Sequence, residues 1–338
     1  MTTEYRHLGS AGVRVSSLCL GTMMFGGPTE EAESIRIIHR ALDEGINFLD
    51  TANVYNGGAS ETVVGKALKG RRESVVLATK VRGNTGDGPN DRGTSAYHIM
   101  MAVENSLRRL DTDHIDLYLL HRHEPETPIE ESLEALDRLV QQGKVRYIGC
   151  SNFDGWQLCQ ALWTSDRRNL ARFVAVQPLY NIVNRDIEME LLPCCGEYGV
   201  GVMAYSPLAR GVLSGKYGTG EQFPEGSRAA RADRRILETE VRAESFEVAT
   251  RLKPIADRHG RTMTQFALNW VISNALVTAA IIGPRTMAQL EDNLGAVGWS
   301  IDDDALDEID QLVPPGEHTG KGFPDPSRPF TGRPRRPS

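Results

Sequence analysis

Four residues that can hold or move a proton lie at the ends of successive apolar runs in the first part of the chain. Asp50 ends the run INFLD and Tyr55 follows five positions later, while Lys80 ends VVLATK and His121 directly follows DLYLL. Apolar runs of this kind are typical of β-strands. In a barrel of parallel strands, residues at the strand ends surround one mouth. We therefore expect all four side chains in a single site.

Together these residue types make a proton donor. A cation about 4 Å from a phenol stabilises its anion by roughly 4 kcal/mol at an effective dielectric of about 20, which lowers a reference pKa of about 10 by about three units. Burial alone would discharge the lysine, so a carboxylate must keep it protonated, and a histidine can hydrogen-bond the oxygen being reduced. We assign Tyr55 as the acid, Lys80 as its tuner, Asp50 as the counter-ion and His121 as the polarising group.

Eight apolar runs alternate with helical patterns along most of the chain, and they are apolar throughout, as strands buried on both faces are. They cover residues 18–21, 46–50, 75–80, 115–120, 145–151, 173–177, 200–206 and 277–283. This alternation predicts a closed (β/α)8 barrel of the TIM type. We expect an N-terminal β-hairpin before it and an extra C-terminal helix over 302–312 after it.

The sequence divides into a barrel domain at 1–313 and a tail at 314–338. The tail holds seven of the 17 prolines and five Lys or Arg, so it cannot form a long helix or strand. Segments 84–94 and 215–235 break the alternation and are candidate lids over the mouth.

Composition excludes several classes of protein. The net charge of -7 and the pI of about 5.7 oppose a nucleic-acid partner, since phosphate binding requires clustered cations. The N-terminus lacks the apolar core of a signal peptide, and the longest nearly apolar stretch, 275–283, is too short to cross a membrane. Five cysteines without a CxxC pair are typical of a reducing compartment, so we expect a cytoplasmic protein with no membrane partner.

Eight segments carry a resemblance to a known family: LGTMMFG, DTANVYNGGASE, ATK, LLHRHEPETP, GCSNF, VQPLYNIVNRD, AYSPLARGVLSGKY and IIGPRTMAQLEDNL. Through these segments, in this order, the chain resembles the aldo-keto reductases from about Tyr5 to Leu312. The resemblance implies NADP(H)-dependent reduction of a small carbonyl compound by a monomer that needs no metal. Asp50, Tyr55, Lys80 and His121 match the family's four catalytic positions.

The resemblance also implies a cofactor site spread over the later strand ends. Ser151, Asn152 and Gln177 would hold the nicotinamide carboxamide, and Tyr205 would stack on its ring. The loop with Ser206, Leu208, Gly211 and Lys216 would wrap the diphosphate, although no GxGxxG is present. Arg285, at a helix start that also carries Gln289 and Asn293, suits a 2'-phosphate and favours NADPH over NADH. Near the mouth, the prediction adds Asp50, Thr22 and Met23 to the cofactor site and assigns Phe25, Tyr55 and His121 to the substrate.

Two other functions remain open. His121 and His123 form an HxH pair that, with Asp50 and Lys80, could hold the metal of a hydrolase, although barrels of that kind carry the pair on the first strand. His123 is also the rival of His121 for the polarising role. Alternatively, the chain could be an NADPH-sensing binding module with slow turnover. Taken one at a time, the site residues have ordinary structural explanations, such as a turn or cap at Ser151 and Asn152 or a surface charge at Arg285.

Overall fold

The computed structural model describes residues 3–217 and 242–320. Ten strands and ten α-helices lie in this part of the chain. The strands are β1 (Tyr5–His7), β2 (Arg14–Ser16), β3 (Leu18–Gly21), β4 (Phe48–Asp50), β5 (Val76–Val81), β6 (Ile115–Leu120), β7 (Val145–Ser151), β8 (Phe173–Gln177), β9 (Gly201–Ala204) and β10 (Ala279–Ile282). The helices are α1 (Glu31–Asp43), α2 (Ala59–Leu68), α3 (Ala96–Leu110), α4 (Ile129–Gln141), α5 (Gly155–Arg168), α6 (Leu191–Tyr198), α7 (Ala243–Arg258), α8 (Met263–Ser273), α9 (Met287–Leu294) and α10 (Asp303–Leu312).

Strands β3 to β10 form a closed parallel barrel. They follow one another in chain order, and β10 pairs with both β9 and β3 to complete the ring. Because a parallel connection needs a crossover, a helix lies between most successive strands and covers the outside of the ring. The predicted (β/α)8 barrel, with its N-terminal hairpin and C-terminal helix, is therefore confirmed.

The hairpin of β1 and β2 closes the N-terminal end of the barrel. Its strands pair antiparallel, and its turn reaches the starts of the later strands, where Ser10 N donates to Gly199 O at 2.7 Å. Leu8 and Val15 are fully buried and belong to the same apolar cluster as the residues that point into the barrel. The hairpin thus fills the end opposite the strand C-termini.

Two apolar clusters hold the fold together. The smaller one fills the barrel and includes Cys19, Phe48, Leu117 and Met203, while the larger one lies between the barrel wall and the surrounding helices. Side chains of a strand alternate between these two environments, so both faces are buried. This explains why the strand sequences are apolar without interruption.

Some predicted segments differ from the observed ones. The helix predicted over 187–198 is a 3₁₀ turn at Asp186–Glu188 followed by the shorter α6. Segment 84–94 is an ordered loop in which Gly88 N donates to Asp91 Oδ2 at 2.8 Å. The candidate lid at 215–235 lies outside the described residues from 218 onward, and so does the tail from 321 onward. In the described part of the chain, no helix has the length and apolar character needed to cross a membrane.

Candidate active site

Strand parity determines which side chains meet at the C-terminal mouth of the barrel. Alternate residues of a strand share a face, so the inward residues Phe48, Ala78 and Leu117 are followed at even spacing by Asp50, Lys80 and His121. The same rule places Gln177 two positions after the inward-facing Ala175. The site is therefore the uppermost inward layer of the barrel, where polar groups replace the apolar ones below.

The centre of this layer is the Lys80 ammonium, which is completely buried. Its Nζ donates to Asp50 Oδ2 at 2.6 Å, to Thr51 O at 2.7 Å and to Tyr55 Oη at 3.2 Å. A lysine ammonium has three N–H donors. All three are used, so the charged form is fully hydrogen-bonded although it has no contact with solvent.

The pKa of Lys80 is raised above its ordinary value. Burial, the largest single contribution, lowers it, but the negative charge of Asp50, the charge of the Tyr55 phenolate and the hydrogen bonds to both together outweigh burial. The cluster therefore stabilises the cation in an interior that would otherwise discharge it. Asp50 is itself held on its other oxygen, since Gln177 Nε2 donates to Asp50 Oδ1 at 2.8 Å.

Asn152 and Tyr205 connect the later strand ends to His121. Tyr205 Oη donates to Asn152 Oδ1 at 2.8 Å, and Asn152 Nδ2 donates to the His121 carbonyl at 3.0 Å and to Ser151 Oγ at 2.9 Å. Asn152 is in the left-handed region with φ 57°, where asparagine is one of the few residues commonly found. The SN pair is thus both a turn and part of the cavity wall.

The structure separates the two candidate histidines. The His121 ring meets the Tyr55 ring edge-on with centroids 5.8 Å apart, and both line the same cavity. Strand β6 ends at Leu120, so His121 directly follows the strand, whereas His123 lies three positions beyond it in the loop. The His123 ring packs edge-on against Phe153 at 5.5 Å, and burial lowers its pKa.

Thr22 and Phe25 lie behind the cavity wall and not on its surface. Thr22 is fully buried, and its Oγ1 donates to the Asp50 carbonyl at 3.0 Å, so it supports the end of β4. Phe25 is also fully buried and belongs to the outer apolar core. The loop after β3 turns both side chains inward, so the structure places these two predicted residues beneath the cavity surface, and their contacts with cofactor and substrate stay predictions. Met23 and Met24 line the cavity there.

The cavity at this mouth has a volume of about 370 Å³, within the range of sites for small organic ligands. Most of the predicted residues line it, and Lys80 contributes through its contacts with Asp50 and Tyr55. The predicted residues on its surface are Met23, Asp50, Tyr55, His121, Ser151, Asn152, Gln177, Tyr205, Ser206, Leu208, Gly211, Lys216, Arg285, Gln289 and Asn293. Residues 84–94 and 122–128 are not among the described residues that line it.

The cationic part of the cavity is formed by the loop after β9 and the start of α9. Arg210, Lys216 and Arg285 all line it. Thr286 caps α9 by accepting a hydrogen bond from Gln289 N at 3.3 Å, and Arg285 immediately precedes this cap. Three cations and a helix N-terminus make this part suitable for a polyanionic group.

Sequence reasoning did not identify Met24, Arg210, Ser214, Thr264 and Asp292 as cavity residues. Asp292 could have been found, because it lies three positions after Gln289 on the same helical face. Its Oδ1 accepts from Thr262 Oγ1 at 2.8 Å. No pattern in the sequence indicated Thr264, because it is the tertiary fold that brings the start of α8 to the cavity.

A metal centre has no candidate ligand set in residues 3–217 and 242–320, where no three His, Cys, Asp or Glu side chains converge as ligands. The proposed HxH pair diverges, with His121 on the cavity and His123 against Phe153 and Trp156. The geometry gives the hydrolase alternative no support.

Comparison with known proteins gives a consistent answer along the chain. The model of the aldo/keto reductase family matches residues 17–314. A Bacillus subtilis (strain 168) protein named "Uncharacterized oxidoreductase YrpG" is 43% identical over 332 residues, which cover 95% of this chain and 99% of that protein. A "Probable voltage-gated potassium channel subunit beta" of Arabidopsis thaliana is 36% identical over 323 residues, covering 92% and 96%. A "Putative voltage-gated potassium channel subunit beta" of Schizosaccharomyces pombe is 35% identical over 321 residues, covering 91% and 93%.

The family match covers the entire barrel and every strand end that contributes to the cavity. The resemblance inferred from eight short segments is therefore confirmed at the level of the family. On this evidence of sequence and fold, the chain belongs to the aldo/keto reductase family.

Proposed function

We propose that this protein reduces an aldehyde or ketone to an alcohol with NADPH, and that Tyr55 donates the proton. The observation that carries the proposal is the buried Lys80, which hydrogen-bonds Asp50 and Tyr55 at the same time beside a cavity open to a ligand. NADPH would supply the hydride to the carbonyl carbon. The protein's part is to orient the carbonyl and to protonate its oxygen.

Each side chain has a defined task in this reaction. The His121 ring, 5.8 Å from the Tyr55 ring, would donate a hydrogen bond to the substrate oxygen. The Tyr55 hydroxyl would give that oxygen its proton, and Lys80 would stabilise the resulting phenolate through the hydrogen bond it already donates. Asp50 keeps Lys80 protonated throughout, as the raised lysine pKa indicates.

The cavity residues suit a phosphorylated dinucleotide. Arg210, Lys216 and Arg285 provide positive charge for a diphosphate and a 2'-phosphate. At Gly211 the backbone has φ 104°, which favours glycine, and an added Cβ would lie 2.8 Å from the end of the Lys216 side chain, so the backbone and this lysine lie close together. Asn152 and Gln177 offer amide groups at the end where Tyr55 and His121 lie.

Replacement of the Tyr55 hydroxyl tests the proposal. Tyr55→Phe should lower kcat for a panel of aldehydes at least about 100-fold, because general acid catalysis contributes on the order of 10²–10⁴. NADPH binding, measured by titration calorimetry, should stay within about threefold, since Lys80 keeps its bonds to Asp50 and Thr51. Turnover is followed by loss of the near-ultraviolet absorbance of the reduced nicotinamide.

Tyr97→Phe is the matched control, because Tyr97 is exposed on α3 and has no contact with the cavity. It should turn over at the wild-type rate. Full activity of Tyr55→Phe would contradict the role assigned to Tyr55. Failure of the wild-type protein to bind either NADPH or NADH would contradict the proposal as a whole.

A second function is favoured by the relatives named as potassium channel β subunits. In this alternative the chain binds NADPH tightly, turns over slowly and reports the state of the cofactor. Comparison of a single turnover with the steady state separates the two functions. Fast hydride transfer followed by very slow cofactor release would favour the sensor, and repeated turnover at more than about 1 per second would favour the reductase.

A further inference from the structure

The loop after β9 has a backbone that needs outside support. Five of its residues have positive φ: Ser206 at 53°, Ala209 at 45°, Arg210 at 53°, Gly211 at 104° and Gly215 at 72°. The last two are glycines, and each of the other three costs on the order of 1 kcal/mol in this region. Such a loop keeps one conformation only if contacts around it favour that conformation over relaxed ones.

At Ser206, the first of these residues, few backbone groups can hold the loop through hydrogen bonds. Ser206 precedes Pro207, whose ring restricts the backbone before it and whose nitrogen has no hydrogen to donate. The Ser206 carbonyl, in contrast, has two hydrogen-bond donors in the described part of the chain. It accepts one hydrogen bond from Ala209 N, inside the loop, at 2.9 Å and a second from the side chain of Asn181, outside the loop, also at 2.9 Å.

Asn181 is fixed in the orientation that this contact requires. It is fully buried, and its Oδ1 accepts from Val183 N at 3.0 Å and from Asn184 Nδ2 at 3.2 Å. Because a backbone N–H can only donate, the atom facing Val183 must be the oxygen, and Nδ2 must face Ser206. The orientation of the Asn181 Nδ2 donor toward Ser206 is therefore fixed without a ligand.

The segment that carries Asn181 is itself held by the C-terminal part of the chain. Arg185 N donates to Glu317 O at 2.9 Å, and Thr319 N donates to Val183 O at 3.0 Å. Asn181 and Asn184 also exchange backbone hydrogen bonds at 3.2 and 3.0 Å. The Asn181 side chain therefore connects a firmly supported strand-like segment to the strained loop.

We propose that Asn181 is a positioning residue that presets the loop at 206–216 for the phosphate groups of the cofactor. Asn181 does not line the cavity, whereas Ser206, Leu208 and Arg210 do. A loop that is already in its bound conformation loses less entropy when the ligand binds, so its affinity is higher. This inference rests on the proposed use of a nicotinamide dinucleotide.

Cofactor binding without substrate is the direct test. In Asn181→Ala the dissociation constant of NADPH, measured by titration calorimetry, should rise about tenfold, as expected for one lost hydrogen bond and a less ordered loop. At saturating NADPH, kcat should stay within about twofold, because the cluster of Asp50, Tyr55 and Lys80 is unchanged. A general loss of structure would lower kcat as well.

Asn181→Asp is the second variant. It keeps an oxygen facing Val183 and Asn184 but replaces the donor to Ser206 with another oxygen, so it should weaken NADPH binding at least as much as alanine does. Asn269→Ala is the control, because Asn269 is also a buried asparagine that donates to backbone carbonyls, those of Ala296 and Trp299. It should lower the melting temperature and leave the dissociation constant within about twofold.

Wild-type affinity in Asn181→Ala, equal weakening by Asn269→Ala, or failure of Asn181→Asp to fold would each overturn this inference. The last result would mean that the contact supports the barrel as a whole. If the wild-type protein binds no dinucleotide, the proposed function fails first, so the two failures are distinguishable.

Discussion

At the scale of single residues, a buried ammonium is stable only when each of its N–H bonds has an acceptor and a negative charge lies close by. Lys80 meets both conditions through Asp50, Thr51 and Tyr55. Its pKa is raised although burial, the largest contribution, lowers it. The proposed proton donation by Tyr55 and the stability of the barrel would therefore depend on the same three contacts.

This coupling predicts that the unfolding free energy changes with pH in opposite directions in the wild type and in the variant Asp50→Asn. In the wild type the folded pKa of Lys80 is raised, so its stabilisation is present below the ordinary lysine pKa of about 10.4 and is lost as pH rises through the folded value. In Asp50→Asn, burial is no longer opposed by that carboxylate, so the folded pKa should fall below the unfolded one. The unfolding free energy should then rise with pH up to about pH 10.

Denaturant unfolding at a series of pH values measures both slopes. At neutral pH, Asp50→Asn should cost about 3–5 kcal/mol, because it leaves a buried charge without its partner. Asp116→Asn is the control: Asp116 pairs with Arg72 at 2.7 Å, and an arginine keeps its proton through this range. It should lower stability without reversing the slope. The same slope in Asp50→Asn as in the wild type would contradict this account of Lys80.

Sequence reasoning found the residues whose positions follow from strand parity and missed those set by the path of loops. Asp50 and Lys80 each end an apolar run and His121 directly follows one, so their meeting at one mouth could be inferred from the sequence, whereas Gln177 was assigned only through the family resemblance. Thr22 and Phe25 lie beneath the cavity surface because the turn after β3 buries both of them, which no periodic pattern encodes. Arg210 was missed because its position depends on left-handed residues in an irregular loop.

At the scale of elements, the hairpin fits the barrel only because Gly9 has no side chain. Gly9 has φ 59°, and an added Cβ would lie 2.5 Å from Gly201 N and 2.6 Å from Gly199 O. Both are backbone atoms, one directly after α6 and one at the start of β9, so they cannot move aside without disturbing the barrel. The hydrophobic pattern predicted a hairpin here, but the close approach depends on two segments that are far apart in sequence.

Gly9→Ala should therefore lower the unfolding free energy by about 3 kcal/mol, from the left-handed backbone together with the steric overlap. Chemical denaturation measures this loss. Gly12→Ala, in the same hairpin, is the matched control, since nothing lies within 4 Å of a Cβ at that position. A loss of less than about 1 kcal/mol in Gly9→Ala would show that the hairpin can shift away from the barrel.

At the scale of the whole molecule, the predicted boundary between barrel and tail, at residue 313, lies in a region where the two make tertiary contacts. Residues after Val313 belong to the predicted tail, yet Glu317 and Thr319 hydrogen-bond the segment at 183–185, and Thr319 Oγ1 contacts Ser245 Oγ at 2.6 Å. Arg185 also donates to the Val313 carbonyl and to Asp310 at 2.7 Å each. Proline content indicated the absence of a long helix but contained no information about these tertiary contacts.

Two truncated chains test how much residues 314–320 contribute to stability. A chain ending at Val313 should be about 2–4 kcal/mol less stable than one ending at Gly320, because it loses the two backbone hydrogen bonds and the buried Thr319. Thermal and denaturant unfolding of the two chains, with the full chain as reference, give the difference. Equal stability of both truncations would show that residues 314–320 contribute nothing to the barrel.

The hairpin fills the N-terminal end of the barrel, and its buried residues continue the apolar cluster inside the barrel. Every described residue of the cavity wall lies at the other end, so under the proposed function the dinucleotide and the carbonyl compound would share one entrance. A molecule bound in the deeper part of the cavity would then leave only after the shallower one has left. An ordered binding and release would therefore follow from the closure of the N-terminal end by the hairpin at residues 5–16 and by the apolar residues inside the barrel.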